Sequence, residues 1–261
     1  MFERFQLDDG RAVWRSSLLA ELGANHVFTT RSWGIRNAKD VRGLLEATGL
    51  LAGRGEPRVV LSKQVHGRTV SRPADRMIEA DAHVADQPDT AAVVRTADCV
   101  PILLSTRGGH AVAAVHAGWR GLVPETGVVA EAVRALVEVA GLRMVEPGRG
   151  LGAAIGPCIS AARYEVGPEV AERFTQRHAG AVTAGESDRF QLDLRRIARE
   201  QLVAAGLAGG SVDTCPSCTF DDAGDFFSYR REGRGVGHQA AVVVPCSGQG
   251  AIPLDRTADR P

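Results

Sequence analysis

Apolar and polar residues alternate over residues 12–14, 26–30 and 58–61, the period-two spacing of short strands. Between the second and third of these, residues 37–50 carry Val41, Leu44 and Leu45 on one face of a 3.6-residue period. That spacing predicts a helix, with Asn37 as its N-cap. Two unbroken apolar runs, 100–105 and 111–115, are joined by Thr106-Arg107-Gly108-Gly109. The join is a hairpin signal, because glycine accepts the positive φ of a tight turn. Residues 125–140 form the strongest amphipathic helix, stopped at Gly141. Residues 151–155 read as a strand entering a Gly156-Pro157 loop, and Gly167-Pro168 opens another helix. Asp193 caps a helix that Gly206 terminates, and residues 211–214, 226–229 and 240–244 predict closing strands. The tail, residues 246–261, is expected to fray. Strands and helices interleave with hairpins, so the fold class is mixed α/β or α+β. With no solenoid repeat and no convincing linker, the chain is expected to form one domain over 1–261, its core at about 25–244.

Composition excludes more than it assigns. Over 261 residues, 31 basic side chains balance 31 acidic ones, so nothing draws the chain to nucleic acid or to a membrane surface. No apolar run approaches the roughly 18–20 residues that span a bilayer. The N-terminal segment lacks the basic, apolar and small-residue regions of a signal peptide, so a cytoplasmic protein is expected. Five cysteines are too few and odd in number for a dense disulfide framework, in keeping with that compartment.

Three segments place reactive residues at the edges of apolar strands: Lys63-Gln64-Val65-His66-Gly67, Thr96-Ala97-Asp98-Cys99-Val100-Pro101, and Val115-His116-Ala117-Gly118-Trp119-Arg120-Gly121. A rigid scaffold presents functional groups to a cleft from such strand ends. Cys99 and His116 fall at the open end of the predicted hairpin, where strands about 4.8 Å apart bring a thiolate and an imidazole to one cation. With His66 they make a three-ligand set that leaves a fourth position for water or substrate, the mark of a catalytic zinc site. Spacing alone leaves a second reading open, in which Cys99 is a small buried hydrophobe and each histidine a satisfied polar residue. Copper shares the His₂Cys donor set. However, Met1, Met77 and Met144 do not adjoin a candidate ligand and no His-x-His pair exists, which favours zinc. A buried Asp81 would orient a neighbouring metal ligand. Cys215-Pro216-Ser217-Cys218 lacks a second pair and reads as incidental thiols, as does Cys246. Cys158 reads as structural, and His26, His83, His110 and His178 as ordinary polar residues.

Taken in order, these stretches resemble the YfiH/laccase-domain family, also called the multicopper polyphenol oxidase family. The resemblance rests on Lys63 to Gly67, Ala80-Asp81, Thr96 to Leu104 and Ala114 to Gly121. It continues through Ile155-Gly156-Pro157-Cys158, Tyr164-Glu165-Val166-Gly167, Asp193-Leu194 and Phe226 to Arg231. It implies an α/β/β/α arrangement of mixed sheets and a zinc held by His66, Cys99 and His116. It also implies a purine nucleoside phosphorylase acting on adenosine, inosine or methylthioadenosine, with adenosine deaminase activity and the editing role on peptidoglycan precursors attached to bacterial members. Two departures bear on substrate choice: the segment between Arg31 and Asn37 is shorter than usual, and His238 stands where the family commonly has arginine.

In phosphorolysis a phosphate oxygen attacks the anomeric carbon while the base departs. Arg120 and Arg230 are the candidate phosphate holders, because a guanidinium matches phosphate oxygens in bidentate fashion; a surface or hairpin salt bridge is the alternative for each. In deamination a zinc would activate water and Asp98 would carry the proton, the alternative being a turn-capping carboxylate. Asp98 and Cys99 share a site only if the backbone bends between them, since strand alternation sends neighbours to opposite faces. The rival expectations are a Cys99–His116 hydrolase, copper-dependent phenol oxidation, and a non-enzymatic partner in cell-wall assembly. The sequence does not distinguish a monomer from a dimer.

Overall fold

The computed structural model of the chain describes residues 1–51, 55–72, 79–124, 127–142 and 150–246. One six-stranded sheet runs in spatial order β1 (Phe2–Gln6), β2 (Ala12–Ser16), β3 (Asn25–Thr29), β15 (Gln239–Val244), β7 (Thr90–Thr96) and β4 (Arg58–Val60). The second runs β14 (Val212–Thr214), β10 (Leu151–Ile155), β8 (Val100–Thr106), β9 (Val112–Ala117), β6 (Ala82–Ala85) and β5 (Val70–Ser71). Both are mixed, with parallel pairs at β4–β7, β10–β14 and β5–β6. A small third sheet joins β11 (Glu165–Val166), β13 (Phe190–Leu192) and β12 (Val182–Ala184). The helices are α1 (Ser17–Glu21), α2 (Ala38–Thr48), α3 (Val128–Val139), α4 (Pro168–Thr175), α5 (Leu194–Ala204) and α6 (Tyr229–Glu232). Among the described residues no helix is long and apolar enough to cross a membrane.

Strand alternation sorts the core into layers. Val27, Val93 and Val242 face Val41, Leu44 and Leu45 of α2. The opposite face of that sheet, with Phe28, Val94 and Val243, packs against Leu103, Val112 and Ala114 of the second sheet. The outer face of the second sheet, with Ile102, Leu104 and Val115, meets Val133 and Leu136 of α3 and Ile197 and Leu202 of α5. The order is therefore α/β/β/α, as the resemblance implies. Central strands of such a stack are covered on both faces, which is why 100–105, 111–115 and 240–244 read as continuous apolar runs.

Local signals set the boundaries. Asn37 caps α2 by accepting from Lys39 and Asp40 N–H, and Asp40 returns a carboxylate to the Asn37 N–H, a reciprocal capping box. Gly49 ends the helix at φ 65°. Asp193 caps α5 through Arg196 N–H, and Gly206 follows its end at φ 104°. The β8–β9 turn holds Gly108 at φ 83° and Gly109 at φ 70°. The helix expected over 125–140 runs Val128–Val139, residues 125–126 lying outside the described residues, as does the tail from 247. The strand expected over 226–229 does not form. Phe226 is buried in a loop, and the Gln239 side chain takes both backbone groups of Phe227, donating to its carbonyl and accepting from its N–H. Ser228 then caps the short helix α6.

Two buried histidines make the fold acid-sensitive. In β3, His26 Nε2 accepts from Ser16 N–H at 2.9 Å and Nδ1–H donates to the Ala24 carbonyl at 2.9 Å. Burial, helped by the charge of Arg15, holds its pKa down at about 3, and burial holds that of His83 at about 4. Below the ordinary imidazole value the unfolded chain takes up a proton that the folded chain still refuses. Stability is thus intact above about pH 6.5 and falls as pH drops toward those values. The urea midpoint should decrease between pH 7 and pH 5. His26→Gln, which keeps a donor and an acceptor but does not titrate, should remove about 2 kcal/mol of that loss; an undiminished pH dependence in the variant would refute the assignment.

Candidate metal centre

Asp81, immediately before β6, is fully buried. Its Oδ1 accepts from His66 N–H at 2.9 Å and from His116 Nδ1–H at 2.8 Å. Its Oδ2 accepts from Gly67 N–H at 2.8 Å and Val65 N–H at 3.3 Å. One carboxylate thus folds the 65–67 loop, where His66 sits at φ 60°, and turns the His116 ring on β9. With Nδ1 committed to Asp81, His116 offers Nε2, the tautomer a metal requires. Gln64 pins the other end of the loop. Its amide accepts from Arg95 N–H at 2.8 Å and donates to the Arg95 carbonyl at 2.7 Å, prolonging the β4–β7 pairing with a side chain.

Cys99 lies one residue before β8, whose Val100 pairs with Ala117 of β9. The hairpin therefore sets Cys99 beside Gly118 and close to His116. The backbone bends at Asp98, φ 95°, so Asp98 and Cys99 both line the same cleft. The ligand atoms of His66, Cys99 and His116 all lie within 4.8 Å of one another, and the two imidazoles meet edge to face at 4.7 Å. Gly118 makes room for them: a Cβ there would stand 2.7 Å from His66 Cδ2 and 3.2 Å from Cys99 Sγ. Burial pushes the Cys99 thiol up, but His116 and His66 outweigh it and bring the pKa down to about 6. Burial likewise pushes His116 down, while Cys99 and Asp81 raise it to about 9. Two imidazoles and a thiolate, one ring oriented by a carboxylate, fit a divalent ion with nitrogen and sulfur preference.

The centre opens into a cleft of about 970 Å³. Asp98 is buried in its wall, accepting from the Thr219 hydroxyl at 2.6 Å, the Ser228 hydroxyl at 3.0 Å and Arg230 N–H at 2.7 Å. The Arg230 guanidinium lies over the Tyr164 ring and donates twice to the Glu165 carbonyl, at 2.9 and 3.0 Å. Arg120 is exposed over the ring of Trp119. All the site residues expected from the sequence therefore line one cleft. Sequence reasoning did not find Gln64, Arg95, Arg36 or Tyr229, which line it too. A polar residue at the end of an apolar strand was the available signal for Arg95. Cys158, Cys215 and Cys218 are buried free thiols outside the three-ligand cluster. Cys158 Sγ accepts from Arg195 Nε at 3.5 Å.

Comparison with known proteins identifies the family and the fold. The family model described as multi-copper polyphenol oxidoreductase laccase matches residues 26–245. A purine nucleoside phosphorylase of Pseudomonas aeruginosa is 37% identical over 232 residues, covering 82% of this chain and 90% of that one. The purine nucleoside phosphorylase YfiH of Escherichia coli is 34% identical over 200 residues, covering 74% and 76%. Among solved structures, a Neisseria meningitidis protein superposes with a TM-score of 0.71 at 30% identity, covering 85% of this chain and 94% of that one. YlmD from Geobacillus stearothermophilus shares the fold, with a TM-score of 0.77 at 24% identity over 92% and 98% of the two chains.

Two substitutions test the centre. Asp81→Asn keeps the size of the side chain but removes the charge that orients His116. It should weaken binding of a divalent metal roughly 10- to 100-fold in competition with a chelator. Wild-type affinity in that variant would remove Asp81 from the centre. Gly118→Ala forces a methyl group into the space of His66 and Cys99, and should abolish divalent-metal binding with the far-UV circular dichroism unchanged.

Proposed function

The chain belongs to the multi-copper polyphenol oxidoreductase laccase family, and from that membership and the cleft we propose a zinc-dependent purine nucleoside phosphorylase. The observation that carries this reading is the juxtaposition of a thiolate–imidazole centre with a cleft lined by arginines and by the rings of Tyr164 and Tyr229. Such a cleft suits a planar base, a ribose and an oxyanion together. The relatives named purine nucleoside phosphorylase support the same substrates, a nucleoside and phosphate.

His66, Cys99 and His116 would hold the zinc, which when bound supplies Lewis-acid charge to the cleft. A phosphate oxygen forms the new bond to the anomeric carbon while the bond to the base nitrogen breaks. The electron pair leaves with the base, and the proton carried by hydrogen phosphate ends on it. Arg120 and Arg230 add positive charge at the cleft where oxyanion charge is handled. Arg230 does so from a fixed position, since its fork is tied to the Glu165 carbonyl. Asp98, whose oxygens receive three donors, is assigned the holding of Thr219 and the start of α6 against the cleft rather than proton transfer.

The Cys99–His116 pair favours a second reading, a Cys–His hydrolase in which the thiolate is the nucleophile. A tightly held metal opposes it, because a ligating thiolate is a poor nucleophile. The copper chemistry in the family's description calls for a multi-copper centre. Among the described residues His66, Cys99 and His116 form one three-ligand cluster, where a multi-copper centre needs several.

One set of assays separates these readings. Metal is quantified in the purified protein, which is then incubated with inosine, adenosine or methylthioadenosine, with and without phosphate. Free base and ribose 1-phosphate (from methylthioadenosine, the corresponding methylthioribose phosphate) should form only with phosphate, and Cys99→Ala should abolish them. Ammonia release from adenosine in the same samples tests deamination. Thiol alkylation that destroys activity without releasing metal would instead favour the hydrolase. A zinc-loaded protein that consumes no nucleoside overturns the phosphorylase.

A further inference from the structure

Arg95 sits near the end of β7, on the same strand face as Ala91 and Val93, and lines the cleft. Its backbone is locked by the Gln64 amide, so the position of the side chain is set by the sheet. Nη1 donates to the Arg36 carbonyl, whereas Nε is withdrawn from solvent with no hydrogen-bond partner. Burial lowers the guanidinium pKa, and no carboxylate acts to raise it. A half-buried cation without a counter-ion is costly to keep, so its place in a cleft wall points to an anion that arrives with the ligand.

A neighbouring imidazole lies within its positive field. His238, just before β15, is held below its ordinary pKa by burial and then by the charges of Arg95 and His116, which places it in the field of both. Arg36 lines the same wall. Asp40, the carboxylate nearest in sequence, is engaged by Arg36 N–H and Asn37 N–H, so it answers backbone donors and not the guanidinium. The Asn37 side chain uses the first-turn N–H groups of Lys39 and Asp40, so the binding charge comes from the side chains. Arg230, by contrast, already spends its fork on the Glu165 carbonyl, and Arg120 is solvent-exposed.

We propose, resting on the phosphorylase reading above, that Arg95 with Arg36 and His238 forms the oxyanion subsite that holds the phosphate co-substrate. The subsite belongs to the first-sheet side of the cleft, and the nucleoside occupies the space between it and the Tyr164–Arg230 wall.

The test compares Arg95→Gln, Arg107→Gln (an exposed arginine of the β8–β9 turn, outside the cleft) and the parent protein in two measurements: calorimetric binding of inorganic phosphate, and steady-state kinetics varying phosphate and nucleoside separately. Arg95→Gln should weaken phosphate binding and raise the phosphate KM roughly 10- to 100-fold, with the nucleoside KM nearly unchanged. Arg107→Gln should leave the phosphate terms unchanged. Where Arg95→Gln melts too low to assay, Arg95→Lys keeps the charge, loses the planar fork, and should show the same selective weakening. An unchanged phosphate affinity in a folded Arg95 variant overturns the subsite. If the parent protein binds phosphate but turns over no nucleoside, the phosphorylase reading fails. An Arg95-dependent phosphate affinity in that protein still upholds the anion subsite.

Discussion

The Asp81 carboxylate receives four N–H groups in a space closed to water, three from the backbone of the 65–67 loop and one from the His116 ring. Burial works to raise its pKa, but His116, with the Gly67 and His66 N–H groups, holds it below the ordinary carboxylate range. A buried charge is tolerable only when its hydrogen-bonding capacity is met, and here two of the four donors that meet it belong to the histidines of the centre. Two ligands separated by fifty residues of chain are therefore placed by one anion. The left-handed backbone at His66 is held by the same contacts, so the strain of that residue and the orientation of the other ligand are one energetic unit.

The rest of the architecture delivers chain to that anion. His66 lies on the connection from β4 to β5, and Cys99 on the connection from β7 to β8; each passes from the first sheet to the second. His116 rides on β9, paired to β8 with Pro101 opposite it, so its distance from Cys99 is fixed by strand register. At this meeting point, Gly118 is the position where the absence of a side chain is a requirement of packing. The thiol and the imidazole then perturb each other's protonation, the thiol toward thiolate and the imidazole toward imidazolium, and a divalent ion held there would take the place of the imidazole proton.

Much of this was legible in the chain. Cys99 and His116 bracket two apolar runs joined by a Gly-Gly turn, and period-two pairing is enough to put the ends of such a hairpin together. Asp81 was visible as an acidic residue at the edge of an apolar segment, though its partnership with His116, 35 residues away, depends on the β6–β9 pairing. The strand 90–96 gave little signal because it begins with Thr90 and two alanines, and Arg95 went unread with it. The aromatic run at 226–229 misled for a complementary reason: its strand-like composition serves burial of Phe226, while Gln239 supplies the backbone bonds that a neighbouring strand would have made. Propensity reports what a pleated surface would accept, and here a side chain substituted for that surface.

The placement of Arg95 and His238 on the first sheet, with His116 on the second, has a mechanical consequence. The two sheets meet through Phe28, Val94, Val243, Leu103 and Val112, apolar side chains that make no directional bonds, while at one edge the Ser16 hydroxyl of β2 donates to Asp213 of β14. A ligand that touches both walls of the cleft adds a directional clasp at one edge of that contact. Occupancy would then be felt as resistance of the sandwich to shearing and opening, through linkage between binding and folding, and the cleft becomes a place where small molecules set the cohesion of the whole core.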